Sequence, residues 1–381
     1  MFNFGRENTG LVAKWWRNLD KQILFLFIFL LLLGLFFSFA STTSVMSEKM
    51  NKQTYFFFVK HLVFVFISIF LIFIISLQDK GKLIKILNYL FIFSIILLFL
   101  TLLIGTEVKG SRRWIDIYPL PRFQPVELLK PLFIIFIAKI IILNEKINIY
   151  SRYFYSFLIL TLVAIILMNQ PDLGQTLLLT LTWITMIFVS GFNMIILTML
   201  GLSFLIITLL LIFFLPEKFG YVFLRIRTFL DPKSGDNFQS QKALDAIKQG
   251  GLTGRGMGEG ILKDKVPEAH TDYIFAVISE EFGALFVLFV VVVFLFIGYK
   301  VINKVFLGDD EFLKLALVGL ISLLTIQTFI HIGVNTRLFP TTGMTLPFLS
   351  YGGSSLIGSS IIAGIILNFT RKDSMRSLAN D

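Results

Sequence analysis

Residues 267–283, PEAHTDYIFAVISEEFG, bring four carboxylates to a point where a long polar loop turns into an apolar helix. Thr271 and Asp272 fall at the helix start, so Asp272 reads equally well as a cap or first-turn carboxylate facing the helix dipole and as a functional acid. Glu280 and Glu281 lie two turns and more deeper. Burying a carboxylate at membrane depth costs about 2.5 to 3.5 kcal/mol even on the lenient insertion scale, so at least one of them is expected to face the protein interior and find a cation or a proton.

A second group is GSRRWIDIYPLPRFQPVELLKP, residues 110–131. Arg112 and Arg113 stand beside Trp114, a grouping that suits an interfacial belt and equally the recognition of a sugar diphosphate: guanidinium forks for phosphate oxygens, a flat apolar ring for a sugar face. Glu127 and Lys130 are spaced by three and share one face of the helix that starts there. The third group, HIGVNTRLFPTTGMTLPFLSYGGSSLIGSS at 331–360, combines two prolines, several glycines and a run of hydroxyls between two apolar segments. Non-helical backbone at that depth is tolerated only where it is buried in protein or lines a cavity. Arg337 adds a further cation, and Ser350 is the hydroxyl expected at the substrate.

The elements that must hold these residues are helices. The chain has 381 residues, 56% of them hydrophobic and 15% charged, which excludes a soluble globular domain. Apolar runs near 23–43, 56–77, 84–104, 128–143, 153–169, 173–190, 193–215, 272–298, 312–334 and 354–370 are each about long enough to cross the hydrocarbon as a helix. The spacing therefore predicts an all-α integral membrane protein of ten transmembrane helices, its chain one domain over 1–381. An even count puts both termini on one side, and Lys14, Arg17, Lys21, Arg371, Lys372 and Arg376 mark that side as cytoplasmic. Residues 1–22 read as an uncleaved interfacial anchor and 371–381 as a cytoplasmic tail.

That topology places 105–127 outside as a first large loop and 216–271 outside as a second, before helix 8. Lys109, Arg112, Arg113 and Arg122 then run against the usual charge bias, as cations tolerated in a long loop or kept for an anionic ligand. The second loop is expected to hold an interfacial helix, KFGYVFLRIRTFLDP, a short helix, QSQKALDAIKQ, and then a glycine-rich hinge or close-approach loop. Its GRGMGEG piece is no nucleotide loop, because no strand precedes it and no Gly-Lys-Ser/Thr closes it. There is no cysteine, which removes disulfides and thiolate metal sites.

The stretches GSRRWI with FQPVELLKP, NQPDLGQT, RIRTFLDP, PEAHTDYIFAVISEEFG and PTTGMTLPFLSYGGSS occur in the order and spacing of the SEDS family of peptidoglycan polymerases. The resemblance covers almost the whole chain. It implies ten helices, cytoplasmic termini, a place in the bacterial inner membrane and an inverting glycosyltransferase that polymerises lipid II at the outer leaflet and releases undecaprenyl diphosphate. It places the essential acid on Asp272, a cavity-facing pair on Glu127 and Lys130, and the important outside tryptophan on Trp114; Arg113, Arg337 and Ser350 are further substrate contacts expected from the residues themselves. Pro-Glu-Ala before His-Thr-Asp resembles the division branch of the family, which implies work at the septum beside a class B penicillin-binding protein and other divisome membrane proteins. The elongation branch is the alternative within the family; a lipid II flippase and a division scaffold are alternatives outside it. No cofactor is certain, a divalent cation (Mg or Mn) is compatible with the chemistry, and no nucleic-acid partner is implied.

Overall fold

A computed structural model describes residues 10–42, 56–108, 110–116, 121–142, 147–214, 216–230, 238–262 and 266–372. Lys109, Arg376, the Asp231–Pro232 end of RIRTFLDP, the first nine residues and most of the expected 371–381 tail lie outside them. Helices dominate: α1 (Leu11–Asn18), α2 (Lys21–Thr42), α3 (Phe56–Leu77), α4 (Lys80–Ile104), α5 (Pro125–Ile142), α6 (Ile149–Asn169), α7 (Leu173–Val189), α8 (Met194–Phe214), α9 (Pro216–Leu230), α10 (Phe238–Gly250), α11 (Ile274–Leu307), α12 (Glu311–Asn335) and α13 (Gly353–Phe369). One small antiparallel hairpin, β1 (Thr106–Val108) with β2 (Ser111–Trp114), follows α4.

Among the described residues, six helices are long and apolar enough to cross a membrane: α2, α3, α4, α6, α11 and α12. The chain is a multi-pass membrane protein. α7 and α13 are apolar but only 17 residues long. Helix α5 carries Glu127, Lys130 and Lys139 within its 18 residues, a charge load that lipid would not accept and that the surrounding helices must meet.

Burial sorts the helices. α5 and α13 are buried on nearly every face, whereas α3 and α4 expose Phe66, Phe70, Ile92 and Phe93 to the surroundings, as apolar solvent permits. Small residues let the central helix approach its neighbours: Gly353 lies against the Phe64 ring, Gly364 against Ile75 and Gly358 against the Glu127 carbonyl. Helix starts at the end away from the hairpin are capped by carboxylates. Asp79 accepts from the amides of Gly81 and Lys82, Asp310 from those of Phe312 and Leu313, and Lys80 ties the two starts together through a 2.7 Å bridge to Asp310.

At that same end, three elements meet at the last turn of α3. Trp15 of α1 is buried there and donates its indole N–H to Ser76 Oγ at 3.1 Å, edge-on to Phe73. Asn368 of α13 donates to the carbonyls of Ile75 and Gln78, and Arg371 to that of Ser76. Carbonyls at and just beyond the end of α3 thus accept from the far end of the sequence, that of Ile75 from the Gln78 amide as well.

Candidate active site

The hairpin, the starts of α5, α11 and α13 and the segment 341–345 enclose a cavity of about 440 Å³. Asp272, Glu127, Arg113 and Trp114 all line it, so residues 159 positions apart in sequence face one space. Arg122, Arg225 of α9 and Glu268 line it as well.

Asp272 is not the cap of α11. Tyr273 holds that position, with no side-chain cap bond, and the helix proper begins at Ile274. The Asp272 segment is instead held by its main chain. Three consecutive carbonyls each accept a hydrogen bond: His270 from the Tyr351 amide at 2.9 Å, Thr271 from Ser350 Oγ at 2.7 Å, and Asp272 from Asn335 Nδ2 at 3.1 Å. The carboxylate itself projects toward Gly343, which has φ +69°; a Cβ there would stand 3.5 Å from Asp272 Oδ2. Burial, and after it the Asp272 charge, raise the Tyr273 phenol above its ordinary value.

Ser350 is therefore part of the support. It is buried and absent from the cavity lining; besides donating to Thr271 it accepts from the Leu346 amide at 2.8 Å. Arg337 also stands outside the lining: its guanidinium donates to Gln241 Oε1 of α10 at 2.6 Å. It has φ +58°, a left-handed turn directly after α12.

Arg113 lines the cavity with part of its fork already engaged. It donates to the carbonyls of Gln170 and Pro171, and its Nε lies 3.5 Å from Asp172 Oδ2. Asp172 is buried, which raises its proton affinity, while Arg113 and the amide of Gln175 pull the other way. The hairpin is thereby stitched to the NQPD turn that opens α7, and this fixes where Trp114 stands on the cavity wall.

Glu127 and Lys130 form a buried ion pair at 2.8 Å. Glu127 reaches the cavity and accepts from Gln175 Nε2 at 3.1 Å; Lys130 points the other way and donates to Gln327 Oε1 at 3.0 Å. Both charges thus have hydrogen-bond partners besides each other, the condition on which a buried pair is tolerable.

Glu280 and Glu281 meet backbone amides. Glu280 Oε1 accepts from Ile261 and Leu262, both at 2.8 Å, and Glu281 Oε1 from Gly258 at 3.3 Å. The glycine-rich loop is folded onto the first turns of α11, where Gly283 breaks the helical dihedrals at φ 78°. A cation or proton was the expectation from the sequence; amides supply part of that role because the glycines allow the loop backbone to come this close.

Arg225 reads in the sequence only as a cation of the interfacial helix, and Glu268, Gln175 and Gln327 were not singled out. Arg225 and Gln175 do sit inside quoted motifs, RIRTFLDP and NQPDLGQT, whereas Gln327 is one polar side chain in an apolar helix and gives no local signal.

Comparison with known proteins is consistent over nearly the full length. Residues 21–375 match the family described as cell cycle protein, FTSW_RODA_SPOVE. The chain is similar to a probable peptidoglycan glycosyltransferase FtsW of Caulobacter vibrioides, 31% identical over 97% of this chain and 93% of the relative. It is also similar to a protein so described from Aliivibrio salmonicida, 32% identical over 91% and 88%. Among solved structures it superposes on a chain from work described as "Structural coordination of polymerization and crosslinking by a peptidoglycan synthase complex", with TM-score 0.74 and 24% identity over 94% of this chain and 99% of that one. The rod shape determining protein RodA of Thermus thermophilus gives a TM-score of 0.68 at 24% identity, over 95% and 99%. At that identity the structural likeness shows the fold.

Proposed function

Because the chain belongs to the FtsW/RodA/SpoVE cell cycle protein family, we propose that the Asp272 cavity is the active site of a peptidoglycan glycosyltransferase that polymerises lipid II. The observation that carries the assignment is the convergence of Asp272, Glu127, Trp114 and three arginines on one cavity.

The reaction joins two lipid diphosphates with inversion. A sugar hydroxyl of lipid II attacks the anomeric carbon of the growing chain's lipid-linked sugar, the new C–O bond forms, and the bond to undecaprenyl diphosphate breaks. Asp272 takes the hydroxyl proton, a role worth about a hundredfold to ten-thousandfold in rate. Arg225 and Arg122, with the part of Arg113 not engaged in its wall contacts, place positive charge where the leaving diphosphate develops negative charge. Trp114 offers a ring face to a sugar. Glu127 and Lys130 keep the wall polar but internally neutral.

A divalent cation fits this site poorly as a resident group. Among the described residues, no three His, Asp or Glu side chains gather where an ion would sit. Any ion would draw most of its ligands from the diphosphates, and no step above runs through one.

We place the protein in the bacterial inner membrane with ten crossings, both termini cytoplasmic and the cavity outside, acting at the division septum. Support for the septal role comes from the relatives, which are described as FtsW. Support for a transpeptidase partner of the class B penicillin-binding type comes from the structural neighbour, described as a complex for polymerization and crosslinking. The test is glycan formation from lipid II in liposomes by the wild type and by Asp272→Asn. Polymer from the wild type alone supports the reading; labelled lipid crossing the bilayer without polymer overturns it in favour of a flippase.

A further inference from the structure

Gln327, His331 and Asn335 follow one another at intervals of four along α12 and so stand on one face of it, in the half of the helix nearest the cavity. All three are at most 2% exposed. Three buried polar side chains in a row on an apolar helix are costly unless they find partners. Each has at least one, and His331 Nε2 is the one ring nitrogen of the three left without among the described residues.

Gln327 Nε2 donates to the Thr345 carbonyl at 3.0 Å, while its Oε1 accepts from Lys130. His331 Nδ1 lies 2.8 Å from the Met344 carbonyl. A carbonyl can only accept, so this nitrogen carries the proton and the tautomer is set by its partner. Asn335 Nδ2 donates to the carbonyls of Asp272 and His331, and its Oδ1 accepts from the Ala276 amide at 3.2 Å. In both amides the partners dictate which atom is oxygen and which is nitrogen.

The rail therefore grips two segments. Asn335 holds the main chain on either side of the α11 start; His331 and Gln327 hold the two residues that follow Gly343, the glycine that Asp272 Oδ2 faces. At its far end the rail is bonded to Lys130, and through Lys130 to Glu127.

We propose that Gln327, His331 and Asn335 are positioning residues for Asp272: a buried polar rail that sets the carboxylate against the 343–345 wall and joins it to the Glu127–Lys130 pair. The inference rests on the catalytic reading of Asp272. A base displaced by about an ångström loses rate without losing substrate, since orientation acts on the chemical step. None of the three lines the cavity, so substrate affinity has no direct reason to change.

The experiment uses the full chain in liposomes with lipid II, following kcat and KM separately, with thermal unfolding as a control. Asn335→Ala is expected to lower kcat about tenfold to a hundredfold with KM within about twofold, as a lost orientation predicts. His331→Gln, whose amide can still donate to Met344, should retain more activity than His331→Leu. Gln327→Glu, which can still accept from Lys130 but as a carboxylate cannot donate to Thr345, should fall with Asn335→Ala. The decisive measurement is the double variant Asp272→Asn with Asn335→Ala. If Asn335 acts through Asp272, the double variant is no slower than Asp272→Asn alone. Additive losses, or a fall in kcat matched only by a fall in unfolding temperature, overturn the rail. Full activity of Asp272→Asn overturns the premise instead, and a dead Asp272→Asn beside a wild-type Asn335→Ala overturns the rail and leaves the premise standing.

Discussion

Gly254 and Gly283 lie back to back: a Cβ on Gly283 would fall on the backbone nitrogen of Gly254, and one on Gly254 on the carbonyl of Glu281. Both have positive φ, 79° and 78°. Alanine at either position should cost about 1 to 3 kcal/mol in strain, before any displacement of the loop, and lower the thermal midpoint. Gly201→Ala, in helix α8 with open space around its Cβ position, is the control and should leave the midpoint unchanged or slightly raised.

Asp272→Asn should insert, purify and unfold like the wild type, because the side chain caps no helix. Its polymerisation rate should drop by about a hundredfold or more. Turnover at the wild-type rate would falsify the assignment of Asp272 as base.

Burial of Asp172, against the opposing pull of Arg113, gives a pH signature. Burial raises the folded-state pKa of Asp172 above the ordinary carboxylate value, so the folded protein binds a proton more readily than the unfolded chain. Stability from this group is then fully present below about pH 4 and is lost as pH rises through the folded pKa. Asp172→Asn should flatten that decline in thermal midpoint. Arg113→Lys should lower activity and stability together, since a single ammonium cannot replace a fork that serves two carbonyls and a carboxylate.

Removing either partner of the Glu127–Lys130 pair should cost about 3 to 5 kcal/mol by stranding the other charge. Exchanging the two should restore only part of that, because Gln175 and Gln327 are oriented for a carboxylate on one side and an ammonium on the other. Equal stability of wild type and single alanine variants, measured by thermal unfolding, would exclude a buried pair.

Polymerisation by the purified protein should rise when its cognate division transpeptidase is added to the same liposomes. A rise with the elongation transpeptidase and none with the division one would move the protein to the other branch of its family.

The helices and some of the cavity's charged members were legible in the sequence, for different reasons. Apolar runs announce helices because lipid leaves the backbone few alternatives. Asp272, Trp114, Arg113 and Glu127 were legible because charge or indole beside an apolar segment is conspicuous. Arg337 is as conspicuous in sequence and Ser350 stands in an equally polar turn, yet Ser350 lies behind the wall and Arg337 is bonded to Gln241 of α10, since only tertiary packing decides which face of a turn meets the cavity. Gln327, His331 and Asn335 were invisible for the opposite reason: a period of four within an apolar helix is what core packing also looks like. The partners of Glu280 were unreadable too, because amides of a distant loop leave no trace of their direction in residue type.

The clasp at the last turn of α3 bears on how the protein is made. Ribosomes deliver α1 and α3 long before α13, so through most of synthesis the terminal carbonyls of α3 wait for Asn368 and Arg371, whose donors arrive some 290 residues later. A nascent chain halted before α13 would hold all the sequence of the hairpin and of Asp272 and could keep the Trp15–Ser76 contact, yet would lack the donors that Asn368 and Arg371 bring to α3. Such a product should be cleaved by membrane proteases faster than the full chain, which would make completion of α13 the event that fastens the first helices.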